Sequence, residues 1–126
     1  EVDKKRYDRG VELLNHYSVK DIQLKNENSF DFFVTNKLEF DMVFLDAEKS
    51  KYCDYIQPIK KILKKGGVLI GDNTIFGGRV VSENIQKRYV KGTNSIKNYN
   101  THLSLDNEFT TLFLDIGDGL SLSIKK

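Results

Sequence analysis

Apolar positions along this chain recur with two different periods, and the two alternate. Residues 3–17 carry Val11, Leu13, Leu14 and Tyr17 among charged neighbours, the one-sided stripe of an amphipathic helix. Ile22-Gln23-Leu24 has the alternation of a short strand. Residues 28–37 read as a second helix, with Asn28 or Ser29 in the capping position. Met42-Val43-Phe44-Leu45 is an unbroken apolar run flanked by Asp41 and Asp46, the pattern of a strand buried on both faces of a parallel sheet. Residues 50–64 then place Tyr52, Tyr55, Ile56, Ile59, Ile62 and Leu63 at helical spacing, with Pro58 inside as a candidate kink. That stripe stops at Lys64-Lys65-Gly66-Gly67, where cations and then glycine suit a helix end.

Val68-Leu69-Ile70-Gly71 is the next candidate buried strand. From Asp72 to about Asn94 the periodicity fades, which predicts a functional loop with some helix. Residues 95–104 read as helix. Two strands, Thr110–Leu114 and Leu120–Ile124, are separated by the turn sequence Ile116-Gly117-Asp118-Gly119. Alternating strand and helix, closed by an antiparallel hairpin, predicts an α/β sheet in one domain over residues 1–126.

Composition narrows this picture. At 126 residues the chain is one small domain, and eight Phe and six Tyr supply a core despite 30% charged residues. No apolar run approaches the roughly 18 residues of a membrane span, and no apolar stretch follows Lys4-Lys5-Arg6, so neither a membrane partner nor a signal peptide is expected. The single cysteine, Cys53, leaves no internal disulfide and suits a reducing cytoplasm. Charge is uneven: residues 1–59 hold 9 Lys/Arg against 12 Asp/Glu, and residues 60–126 hold 11 against 6. The basic C-terminal half suits either an anionic partner such as RNA or a plain solvated surface.

Candidate chemistry gathers at strand ends, because open parallel sheets bind ligands beyond their carboxyl termini. Asp46 follows one such strand, and Asp72 and Asn73 follow another. On neighbouring strands they would present two carboxylates and an amide oxygen, hard donors suited to Mg²⁺, Mn²⁺ or Ca²⁺. Taken singly, Asp46 is equally a cap for the next helix. Lys49, three residues on, is either a general base beside such a cation or an exposed first-turn lysine. Glu1 on pattern alone is a terminal acid. His16 and His102 are isolated surface residues, and Cys53 reads as a structural thiol. Gly77-Gly78-Arg79 lacks the Lys-Ser/Thr ending of a phosphate loop.

Three segments, in order, resemble one family. Phe40-Asp41-Met42-Val43-Phe44-Leu45-Asp46-Ala47-Glu48-Lys49-Ser50-Lys51-Tyr52 resembles FDxVFxDAxKxxY. Leu63-Lys64-Lys65-Gly66-Gly67-Val68-Leu69-Ile70-Gly71-Asp72-Asn73 resembles LxxGGxxxxDN, and Ile116-Gly117-Asp118-Gly119-Leu120 resembles xGDGL. Together they are similar to the metal-dependent class I S-adenosylmethionine O-methyltransferases, the group of catechol and caffeoyl-CoA O-methyltransferases. Asp72–Phe76, Gly78, the basic stretch after it, Ile96–Asn100 and the Ser123-Ile124-Lys125-Lys126 ending are similar to bacterial members, including tRNA 5-hydroxyuridine methyltransferases.

The resemblance implies a Rossmann-like class I methyltransferase sheet with a C-terminal antiparallel hairpin. It implies that the family's first strand, glycine-rich loop and N-terminal helices fall ahead of Glu1. It implies a divalent metal held by Asp46, Asp72 and Asn73, and Lys49 as the catalytic lysine. S-adenosylmethionine would meet Glu1 at its ribose, Glu27 and Asn28 near its adenine, and Asp46 near its methionine end. The acceptor is a hydroxyl, in tRNA or in a small aromatic. For RNA, Arg79, Lys87, Arg88, Lys91 and Lys97 would hold phosphates and Tyr89 would stack on a base; otherwise this segment only lids the site. Family members are commonly homodimers. A non-catalytic basic α/β module that binds RNA or a partner subunit stands as the reading from a different class.

Overall fold

The computed structural model describes residues 1–126, which divide into two compact units, Glu1–Thr35 and Asn36–Lys126. In the first unit, helix α1 (Lys4–His16) opens on Asp3, whose side chain accepts from the Arg6 N–H. Helix α2 (Ser29–Thr35) follows. Asn28 is its cap, since Asn28 Oδ1 accepts from the Phe30 N–H at 2.8 Å. Ile22–Leu24 is not a strand. A strand exists only as part of a ladder, and no second strand stands within this unit to pair with it.

The second unit is a four-stranded sheet with helices. Strands β1 (Phe40–Leu45) and β2 (Leu63–Asp72) run parallel, with Leu45 opposite Gly71. Between them lie a 3₁₀ segment, Lys49–Tyr55, and helix α3 (Ile56–Ile62). Helix α4 (Val90–Leu105) leads to β3 (Phe109–Leu114) and β4 (Leu120–Lys125). The sheet order is β1-β2-β4-β3, so the last strand inserts antiparallel beside β2 and pairs with β3 as a hairpin.

Four sequence expectations shift. The stripe of 50–64 is a 3₁₀ segment followed by α-helix rather than one helix. Pro58 sits in the first turn of α3, where its missing N–H costs nothing, but it could not have continued an α-helix from residue 54. The helix also ends at Ile62, because fully buried Leu63 is extended and pairs with Phe40. Helix α4 begins at Val90, five residues earlier than its pattern suggests. Thr93 hides on its buried face by donating its hydroxyl to the Tyr89 carbonyl, so a polar residue occupies an apolar stripe position. Lastly, β1 is buried on one face only: Val43 and Leu45 are buried, while Met42 and Phe44 are 57% and 55% exposed. Tyr52, Ile56, Ile59, Ile96 and Tyr99 supply the core with the buried-face residues, and all come from the segments between β1 and β3.

The core is fitted around Tyr99. Its hydroxyl meets Ser121 Oγ at 3.0 Å, and its ring packs edge-on against Tyr52. Burial pushes its phenol up to about 12. Gly71 makes the space: a methyl there would overlap the Tyr99 hydroxyl and stand 2.7 Å from Ser121 Oγ. Gly71→Ala therefore overpacks this layer, and urea denaturation is expected to show a loss of about 1–3 kcal/mol. An unchanged unfolding midpoint would contradict the packing described.

Candidate functional site

Because β1 and β2 are parallel neighbours, both carboxyl ends reach one rim, and adjacent strands stand about 4.8 Å apart. Asp46 leaves β1 one residue after Leu45, and Asp72 ends β2 one residue after Gly71, its paired partner. Asn73 follows with φ +62°, a left-handed conformation that asparagine tolerates better than most side chains. The three donors expected together are thus on neighbouring strand ends.

Tyr52 braces those ends. Its hydroxyl lies between the carbonyl oxygens of Leu45 and Asp72, at 2.7 Å from the latter. Burial, followed by the neighbouring Tyr99, raises the pKa of the Tyr52 phenol, so it stays a hydrogen-bond donor. Lys49 Nζ lies 2.7 Å from Asp46 Oδ1 and 4.7 Å from the centre of the Tyr52 ring. The Lys49 side chain is 17% exposed and that of Asp46 55%, so the lysine is shielded while the carboxylate faces outward. Asp72 Oδ1 accepts the Asn73 N–H.

The hairpin turn closes the other side. The Thr74 and Ile75 N–H groups donate to the carbonyls of Gly119 and Asp118 at 3.0 and 2.9 Å. Gly119 has φ +82°, and a methyl there would lie 2.6 Å from Thr74 Oγ1 and 2.8 Å from the Ile75 nitrogen. From α4, Asn100 Nδ2 donates to the Thr74 carbonyl at 2.8 Å. Tyr52, Asp118 and Asn100 were not singled out from sequence. The available signal is that Tyr52 and Asp118 lie within the family-like motifs and that Asn100 closes the Ile96–Asn100 stretch that resembles bacterial members.

The donor set suits a hard cation: two carboxylates and an amide, with no imidazole or thiolate beside them. No cluster of three or more His, Cys, Asp or Glu placed to hold an ion occurs in the structure. Cys53 is half-buried, and burial, followed by the charge of Asp54, pushes its thiol up. His102 contacts Asp106 at 3.5 Å rather than any rim residue.

The segment 74–89 holds Arg79, Lys87 and Arg88 of the basic candidates. The Arg79 guanidinium lies 4.1 Å from the Tyr89 ring and 5.1 Å from that of Phe76, and Arg88 lies 4.6 Å from Tyr89. Arg79 also donates to the Phe76 carbonyl at 2.8 Å. Arg79 and Tyr89 line a cavity of about 330 Å³ with Gly77, Gly78 and Gln86. Lys87 starts the 3₁₀ turn before α4, and Lys91 and Lys97 lie on α4. Tyr89 is thus already stacked by arginines.

Within the first unit, Glu1 and Glu27 line one pocket of about 310 Å³ with Gln23, Leu24, Lys25, Ser29 and Phe32. Glu1 Oε1 accepts the Asp3 N–H, and the amide of Asn26 donates to the Glu1 carbonyl. Asn28 does not line this pocket; its side-chain oxygen caps α2.

The model of the O-methyltransferase family matches residues 1–126. Tapetum-specific methyltransferase 1 of Arabidopsis thaliana is 27% identical over 97% of this chain and 55% of its own length. Caffeoyl-CoA O-methyltransferase of Populus kitakamiensis is 34% identical over 67% of this chain and 37% of its own. The chain thus spans about half the length of such relatives, or less. The O-methyltransferase of Bacillus cereus, solved in complex with SAH, superposes with a TM-score of 0.85 at 19% identity, covering all of this chain and 60% of that one. The SAH-bound methyltransferase PaMTH1 of Podospora anserina gives 0.86 at 22%, covering all of this chain and 58% of that one. These likenesses show an α/β, Rossmann-like methyltransferase fold. No helix is long and apolar enough to cross a membrane.

Proposed function

The chain belongs to the O-methyltransferase family, and from that premise we propose that the protein transfers a methyl group from S-adenosylmethionine to an acceptor hydroxyl with the help of a divalent cation. The observation that carries this is the rim: Asp46 and Asp72-Asn73 on paired strand ends, with Lys49 Nζ 2.7 Å from Asp46. Asp46, Asp72 and Asn73 would hold the ion. A bound dication supplies Lewis acidity toward the hydroxyl, and S-adenosylmethionine supplies the methyl.

In the transfer an O–C bond forms as the C–S bond breaks, and the sulfonium leaves as a neutral thioether. Lys49 Nζ, in its neutral form, takes the hydroxyl proton. The Lys49 side chain is 17% exposed, which limits the access of water to it. Tyr52 holds the two strand ends at fixed separation, so alignment is built in before substrate arrives. In the first unit, Glu1 and Glu27 line a pocket that would take the nucleoside of S-adenosylmethionine, where Glu1 would meet the ribose hydroxyls.

Arg79, Lys87, Arg88 and Lys91 favour an anionic acceptor, and 5-hydroxyuridine in tRNA is the reading taken ahead of a catechol-like small molecule. The test is methyl transfer from labelled S-adenosylmethionine by the intact protein. Transfer should stop on chelation and return with Mg²⁺; chelator-resistant transfer would remove the cation from the proposal. Loss of methoxyuridine from tRNA in a strain lacking the gene would select the tRNA acceptor, and an unchanged level would reject it. Titration calorimetry without heat on adding S-adenosylmethionine would favour the non-catalytic binding module instead.

A further inference from the structure

The turn Ile116–Gly119 contributes a side chain that the proposed chemistry leaves unused. Asp118 Oδ2 lies 3.3 Å from Asn73 Nδ2, and Asp118 Oδ1 accepts the Gly77 N–H. An ionised carboxylate can only accept, so it can face only the NH₂ end of the Asn73 amide. The carbonyl oxygen of the same planar amide is then turned away from Asp118. A side-chain amide with no such neighbour is free to present either end, and only the oxygen end can bind a cation.

The surroundings hold the pair in register. Asn73 sits at φ +62°, yet its neighbours are tied on both sides: Tyr52 to the Asp72 carbonyl, Asp72 Oδ1 to the Asn73 N–H, and Thr74 N–H to the Gly119 carbonyl. A left-handed residue over-determined in this way marks a position where orientation is under constraint. Gly117 and Gly119, both at positive φ, let the turn place the carboxylate there.

We propose that Asp118 is a positioning residue that decides which end of the Asn73 amide faces the rim, and so makes Asn73 an oxygen ligand. This rests on the cation site proposed above. Groups that orient metal ligands in this manner change affinity by about 10–100-fold when removed.

The experiment measures Mn²⁺ binding to the intact protein by electron paramagnetic resonance, alongside thermal melts. Asp118→Asn should weaken Mn²⁺ binding by about 10–100-fold, because an amide at 118 can also donate to the Asn73 oxygen. In an Asn73→Asp background either side-chain oxygen can face the rim, so position 118 has no amide end to select. Adding Asp118→Asn to Asn73→Asp should therefore cost no Mn²⁺ affinity, in contrast to its effect with Asn73 in place. A role of Asp118 through its charge or through folding alone predicts the same loss in both backgrounds. Wild-type affinity in Asp118→Asn, or an equal loss in both backgrounds, overturns the positioning role alone. Absence of Mn²⁺ binding by the wild type overturns the cation site and this role together. Should Asp118→Asn melt early, the double variant compared with Asn73→Asp decides: undiminished binding supports the role and a loss of about tenfold or more rejects it.

Discussion

Lys60→Met is expected to lower folding stability by about 3–5 kcal/mol, the cost of leaving one member of a buried ion pair alone. Lys60 Nζ meets Asp106 Oδ2 at 2.6 Å and Glu108 Oε2 at 2.8 Å, and also lies 5.5 Å from the Phe109 ring centre. The Lys60 and Asp106 side chains are 11% and 6% exposed, whereas Glu108 is largely in water. The Asp106 contact therefore carries the effect. Methionine keeps the aliphatic stem packed, so the loss reads the charge rather than a cavity. Asp106 would keep only the Glu108 N–H at 2.9 Å and the His102 ring at 3.5 Å. Urea denaturation checks this, and a loss below about 1 kcal/mol, the value of an exposed pair, would contradict it.

The same pair sets a pH dependence. Burial alone would raise the Asp106 carboxyl, but the hydrogen bonds from Lys60 and from the Glu108 N–H outweigh it and hold it below its ordinary value. A depressed carboxyl contributes stability above its unfolded value of 3.8, and that stability is lost as pH falls through the folded value. For Lys60, burial pulls down, and the hydrogen bonds to Asp106 and Glu108 pull the ammonium up overall. Its contribution is complete below 10.5 and is lost as pH rises through the folded value. The wild type should therefore weaken at both limits. The gap to Lys60→Met should narrow in acid, because protonated Asp106 no longer needs a cation.

Lys49→Met is expected to reduce single-turnover methyl transfer by about 10²–10⁴-fold, the range of a positioned proton acceptor. S-adenosylmethionine affinity and melting temperature should change little. The Lys49–Asp46 pair has an outward-facing carboxylate, and such pairs contribute about 0–1 kcal/mol. Transfer within about threefold of wild type would remove Lys49 from the proton's path, since general-base loss costs far more.

Much of this was readable in one dimension. The runs at Met42–Leu45 and Val68–Gly71, the stripe of 3–17 and the Gly117–Gly119 turn announce their elements because period and turn chemistry are local. Asp46, Lys49, Asp72 and Asn73 were legible for the same reason: each lies at or just past a strand end. Ile22–Leu24 misled because a strand needs a partner, which its own residues do not specify. The start of α4 misled because Gly92, Thr93 and Asn94 look like loop until the Thr93 hydroxyl finds the Tyr89 carbonyl.

Residue order by itself determined the alternation of helix and strand, the acids at the strand ends, and the lysine beside one of them. Tertiary structure alone decided that Tyr52 reaches Asp72, 20 positions away, and that Asp118 faces Asn73 across 45 positions. The reason is physical: backbone period and turn preference are fixed by neighbours along the chain. Side-chain hydrogen bonds between distant segments exist only once β-pairing and core packing have brought those segments together.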